Sequence, residues 1–99
     1  MLYSVGFRDS SGRMCEHDGT KYLYIDEKGA EGLKTVCGEY PQRWDCRTAK
    51  RMQGIFEAAI PVLIRNKTRV ESPDIVMLTL RALIDRCKAF PESVLEVDW

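Results

Sequence analysis

A single histidine, His17, stands in the whole chain, and none of the four cysteines falls in a C-x-x-C pair. The first scarcity confines any Cys–His catalytic dyad to one residue. The second removes the tight ligand pairs typical of structural zinc sites. No apolar run approaches the ~20 residues that span a bilayer, so no membrane partner is expected. Net charge is absent too: 15 Lys and Arg balance 15 Asp and Glu, which argues against wholesale attraction to nucleic acid or lipid. The segment Met1–Asp9 is too short and too early charged for a secretory leader. The expected location is therefore cytoplasmic, with Cys15, Cys37, Cys46 and Cys87 as reduced thiols.

What remains is a soluble globular composition, 44% apolar and 30% charged over 99 residues. That suits one domain spanning 1–99, able to bury on the order of 60–70% of its unfolded surface without staples. The charge is segregated. Residues 1–40 hold five basic and seven acidic side chains, residues 41–70 seven and two, and residues 71–99 three and six. A basic middle between acidic ends lets one copy meet another, positive patch to negative.

The pattern predicts an α+β fold: an antiparallel β-meander of three to four strands over 1–38, a helical pair over 45–90, and a short C-terminal edge strand over 93–99. Leu2–Arg8 alternates as a strand. Asp9-Ser10-Ser11-Gly12 is a turn, Arg13–His17 a short return strand, and Asp18-Gly19 the strongest hairpin signal. Thr20–Asp26 makes a third strand. In this register Tyr3, Val5, Phe7, Cys15, His17, Tyr22 and Tyr24 share the face that packs on the helices. Glu27–Gly32, with two glycines, reads as a loop, and Leu33–Cys37 as a fourth strand ended by Gly38. In the tail, Leu95, Val97 and Trp99 alternate, and the size of the tryptophan favours docking over fraying.

Asp45 or Thr48 caps the first helix. Its stripe of Ala49, Met52, Ile55, Phe56, Ala59, Ile60 and Leu63 continues in phase past Pro61. This predicts one helix, kinked there, reaching about Asn66, although a proline inside a helix costs about 3 kcal/mol. The second helix is the clearest element, Ser72–Phe90, with a capping hydroxyl at Ser72, Pro73 at its first position and Asp74 in its first turn. Val76, Leu80, Leu83, Ile84 and Cys87 form one apolar face. Ile75, Leu78 and Ala82 form a second strip almost opposite.

Three clusters carry chemical potential. Cys15 and His17 lie two apart on one strand face, and Cys37 and Cys46 fall on segments near enough to complete a Cys3His zinc set. The blander reading, half-buried residues on a sheet face, is stronger, so the expectation is no cofactor and no metal. Cys46, at a helix start between Arg43 and Arg47, is the candidate reactive thiol, because cations and helix N-termini lower thiol pKa values. Arg43, Arg47, Lys50, Arg51 and Arg65 make a basic face beside Gly54 and Ala58, with an anion site at the helix start. Trp44 is either a residue packed on the first turns or a stacking platform for a base.

A chain this small and poor in motifs is expected not to be an enzyme. The reading it favours is a cytoplasmic interaction module that binds and inhibits or modulates a larger protein, in the manner of inhibitors, antitoxins, immunity proteins and phage-encoded host modulators. Ile75, Leu78 and Ala82, rimmed by Asp85 and Arg86, are the expected partner surface, and a homodimer through that strip is the expected assembly. The alternative is a nucleic-acid-binding regulator using the basic face of the first helix.

Overall fold

The alternating stretch Leu2–Arg8 becomes the central strand, β1, of a three-stranded antiparallel sheet ordered β2-β1-β3. In the computed structural model, β2 is Tyr22–Asp26 and β3 is Val94–Asp98, and three helices lie between them: α1 (Glu27–Cys37), α2 (Ala49–Arg65) and α3 (Pro73–Ala89). The structure describes residues 2–99; Met1, which opens the domain expected over 1–99, lies outside them. The α+β class, the antiparallel sheet and the C-terminal strand are all present.

The hairpin region departs from a meander. Tyr22–Asp26 pairs directly with β1, Tyr3 facing Ile25 and Val5 facing Leu23. Arg13–His17 is not a strand between them; it contributes only the single bridges Arg8–Met14 and His17–Thr20. The Asp18-Gly19 turn forms as expected, both residues with positive φ (52° and 78°). Direct pairing reverses the expected face of β2. Leu23 and Ile25 join Tyr3, Val5 and Phe7 toward the helices, whereas Tyr24 is 65% exposed on the outer face.

Residues 27–37 form a helix rather than a loop and a strand. The Asp26 side chain caps it, accepting from the Gly29 N–H at 2.7 Å, and Gly38 ends it at φ 85° with its N–H on the Lys34 carbonyl. The glycines that suggested a loop serve packing. A Cβ on Gly32 would run into Val76 and would lie 2.8 Å from the Glu71 carbonyl oxygen, so only glycine lets α1 approach the start of α3 this closely.

Thr48 caps α2, its hydroxyl accepting from the Arg51 N–H. The helix continues through Pro61 to Arg65. Pro61 and Glu57 are exposed, so the carbonyl left without its helical donor faces water. At α3, Pro73 and Asp74 sit as expected. Ser72 differs: it adopts φ 49° and its hydroxyl makes no capping bond, while its carbonyl accepts from the Val76 N–H. Val76, Leu80, Leu83, Ile84 and Cys87 are buried. They meet Phe56, Ala59 and Leu63 of α2 and the inner sheet face in one core. The Cα radius of gyration is 12.6 Å, close to the ~13 Å of a folded chain this long.

Candidate functional site

The two edges of the sheet are treated differently, and the difference locates the site. Strand β3 is covered on its outer side by residues 45–49. Cys46 donates its N–H to the Leu95 carbonyl, Leu95 donates to the Arg47 carbonyl, and Ala49 donates to the Ser93 carbonyl. The Asp45 carboxylate accepts from the Val97 N–H at 2.8 Å. Every outward N–H of β3 thus has a partner.

Strand β2 has no such cover. The Cys15 N–H donates to the Phe7 carbonyl, which fixes Tyr3, Val5 and Phe7 as the β1 residues whose main-chain groups point to the β2 side. Antiparallel pairing then makes Leu23 and Ile25 the hydrogen-bonded partners and turns the N–H and C=O groups of Tyr22 and Tyr24 outward. No backbone group of another described residue bonds to them. The strand contains no proline or bulge of the kind that blunts an edge.

Exposed apolar side chains run from this edge across the outer sheet face to the end of β3. Leu2, Tyr24 and Trp99 are 57–65% exposed and, with Ser4 and Asp98, line one shallow depression. A second depression joins Leu2, Tyr24 and Ile25 to Ile75 and Thr79 of α3. Leu78, at 68% the most exposed large apolar side chain among the described residues, lies one turn along that helix from Ile75. The outer sheet face beyond is an open groove of about 550 Å³ that includes Tyr22, Asp45, Glu96 and Asp98. Among the described residues its only cation is Arg8, which is engaged by Glu96 at 2.6 Å.

Of the residues expected at an interface, Ile75, Leu78 and Asp85 are exposed and Ala82 is half-buried. Arg86 is placed otherwise. It is only 4% exposed, and its guanidinium donates to the Thr20 carbonyl and hydroxyl and to the His17 carbonyl. It fastens the hairpin to α3 and is withdrawn from the surface. Leu2, Tyr24 and Trp99 escaped the sequence reading. Tyr24 followed from the wrong strand pairing, and Trp99, expected to dock, is 59% exposed.

The basic face is partly neutralised. Arg47 makes two bonds to Glu39, at 2.5 and 3.0 Å, and Lys50 pairs with Glu92 at 3.0 Å. Arg43, Arg51 and Arg65 are exposed. Trp44 is fully buried, edge-on against Phe56 with ring centroids 4.9 Å apart, so it is a core residue and offers no stacking platform.

Cys46 is not in a helical turn. It lies at φ 67°, before the Thr48 cap, with its thiol 3.6 Å from Asp45. The Asp45 charge pushes the thiol pKa up, the reverse of the activation expected. Burial pushes Cys37 and Cys87 up to about 12 and also raises Cys15. His17 stands edge-on to the Phe90 ring at 5.9 Å. No group of three or more His, Cys, Asp or Glu among the described residues is placed to hold a metal ion, so Cys15, His17, Cys37 and Cys46 do not converge. No helix among the described residues is long and apolar enough to cross a membrane.

No protein-family model, curated protein or solved structure matches the chain.

Proposed function

We propose that this chain is a cytoplasmic protein-interaction module that binds a larger protein and inhibits or modulates it by occupying its surface. The observation that carries this reading is the exposed apolar arc that runs from Ile75 and Leu78 of α3 past the open edge of β2 at Tyr24 and over Leu2 to Trp99 at the end of β3. Large apolar side chains clustered around unpaired main-chain groups are costly in water and become favourable on contact with another protein. Asp26 and Asp98, which line the two depressions, supply a charged rim for such an interface. Two copies of the chain use the same surface, so self-association and partner binding compete.

The nucleic-acid reading draws less support, because Arg47 and Lys50, two of the five cations it needs, are already engaged by carboxylates. The test is affinity capture from the native cell extract, with and without nuclease, using the wild-type chain and Leu78→Asp. The expected result is one protein species that survives nuclease and is lost, with affinity down at least about tenfold, in the variant. Retention of that species by Leu78→Asp sinks the reading. Loss of all bound material after nuclease transfers the function to the basic face.

A further inference from the structure

We infer that the open edge of β2 is filled by β2 of a second copy, paired antiparallel about a twofold axis at Tyr24, so that two three-stranded sheets become one sheet of six. This pairing rests on the interaction surface proposed above and specifies how the chain meets itself there.

The direction of the main-chain groups restricts the register. Tyr22 and Tyr24 turn their N–H and C=O groups outward, as the Cys15–Phe7 and β1–β2 bonding requires. An antiparallel twofold pair must match outward-facing residues with each other. Centring on Tyr24 does so: Tyr24 faces its own copy, Tyr22 faces Asp26 of the second copy, and Leu23 faces Ile25 of the second copy. Leu23 and Ile25 lie on the inner sheet face, so their pairing extends the apolar layer across the junction. The two Tyr24 rings, now 65% exposed, meet on the outer face, where an aromatic cross-strand pair is favourable.

Charge selects the same register. Lys21 and Glu27 flank β2 at its two ends, both exposed, and neither forms an ion pair with another described residue. Centring on Tyr24 lays the Lys21 end of each β2 beside the other end of its copy, where α1 begins at Glu27, so these two long side chains of opposite charge become neighbours across the junction. Centring on Leu23 instead would set Lys21 against Ile25, which is 3% exposed on the inner face. Centring on Tyr22 would lay Asp26 against the Asp18-Gly19 turn of the other copy, where the strand has ended and the nearest charge is of the same sign. Opposite charges at both ends of one short strand suit a self-complementary contact, which a twofold dimer requires.

The helix beside the edge fits the same axis. Ile75 and Thr79 share a depression with Tyr24 and Ile25, so the twofold brings this flank of α3, with Ile75 on it, toward its copy. The other edge of the sheet is closed to this reaction, since residues 45–49 already pair with β3. Association therefore stops at two copies and does not propagate.

Sedimentation equilibrium across a concentration series reads the assembly. The wild-type chain is expected as a reversible dimer. Tyr24→Pro removes one outward N–H without touching the β1 ladder and is expected to be a folded monomer. Lys21→Glu and Glu27→Lys each raise the dimer Kd roughly tenfold at low salt, since each swap breaks two ion pairs per dimer and opposes like charges. The double variant restores the wild-type Kd. A wild-type chain that stays monomeric at millimolar concentration overturns the inference, as does a dimer in which the two charge swaps simply add. If Tyr24→Pro fails to fold, the charge-swap cycle still decides. The partner reading fails separately, when a chain that dimerises in this way captures no protein.

Discussion

The Arg86 guanidinium donates to the Thr20 hydroxyl at 2.5 Å and to the Thr20 carbonyl at 3.2 Å, joining the last turns of α3 to a hairpin 66 residues earlier in the chain. No carboxylate forms an ion pair with this cation among the described residues. Burial works against its charge, and the more distant Asp18 supports it. The cation is held in a neutral cradle of carbonyls and a hydroxyl.

Replacing Arg86 with Met keeps the stem and removes the donors. Charged hydrogen bonds of this kind contribute about 1.5–3 kcal/mol. Thermal unfolding is expected to shift down by roughly 10 °C, at about 4–8 °C per kcal/mol for a domain this size. The loss is local first. Amide exchange at His17 and Thr20, whose N–H groups bond across the Asp18-Gly19 turn, should accelerate more than exchange in β1. Arg86→Lys, a single point donor, is expected to recover less than half of the shift.

Glu39 and Arg47 give a pH signature. The Arg47 guanidinium, through its side-chain bonds, holds the Glu39 carboxyl below its ordinary value of 4.5. A carboxyl depressed in the folded state contributes stability that is complete above the unfolded pKa and disappears as pH falls through the folded pKa. The contribution is therefore present at pH 6 and shrinks progressively below about 4.5. The pair is partly exposed, so its size is about 1 kcal/mol or less. Melting temperatures from pH 6 to pH 3 should fall less steeply in Glu39→Gln than in the wild-type chain, from a lower starting value.

The helices α2 and α3 were legible in the sequence because each carries a stripe of large apolar residues at helical spacing; the α3 stripe proved buried, and the α2 stripe is buried but for Ile55 and Ile60, which are half-buried against the core. The sheet was legible as a class and misleading in detail. Asp18-Gly19 announces its turn, but nothing local says whether Tyr22–Asp26 pairs with the segment before that turn or with β1. That choice is tertiary, and it decided whether Tyr24 or Ile25 entered the core. α1 was hidden because Gly29 and Gly32 weaken helical propensity. The need for Gly32 appears only when Val70, Glu71 and Val76, about forty residues away in sequence, crowd against it. The apolar arc was half legible. Ile75 and Leu78 stood out as a strip with no partner on their own helix, whereas Leu2, Tyr24 and Trp99 join them only through sheet order.

Thiol reactivity should separate the four cysteines. Cys46 is exposed, Cys15 and Cys37 are half-buried and Cys87 is buried. At pH 8 an aromatic disulfide reagent is expected to label Cys46 first, Cys15 more slowly, and Cys37 and Cys87 only on unfolding. Asp45 raises the Cys46 pKa, so even the first reaction runs slower than with a free thiol. Asp45→Asn keeps an oxygen to accept from the Val97 N–H and removes the charge. Its labelling rate at Cys46 should rise severalfold with little change in melting temperature. A Cys46 rate unaffected by this substitution would show that access, and not charge, governs the thiol.

Two glycine-to-alanine substitutions in helices should have opposite signs. Alanine exceeds glycine in helix propensity by about 1 kcal/mol, and that gain applies in both α1 and α2. At Gly54 of α2 an added Cβ meets nothing within 4 Å, so Gly54→Ala is expected to stabilise by about 0.5–1 kcal/mol. At Gly32 of α1 the added Cβ strikes Val76 and comes to 2.8 Å from the backbone oxygen of Glu71. A side chain can rotate away; a carbonyl between the turn at Lys67–Arg69 and the start of α3 moves only if the helix junction moves. Overpacking of this kind costs about 1–3 kcal/mol, more than the propensity gain offsets. Urea denaturation of the two variants should therefore move the midpoint up for Gly54→Ala and down for Gly32→Ala at unchanged slope. Equal upward shifts would mean that α1 and α3 do not meet at Gly32, and the close approach of the two helices would no longer account for a glycine in the middle of α1.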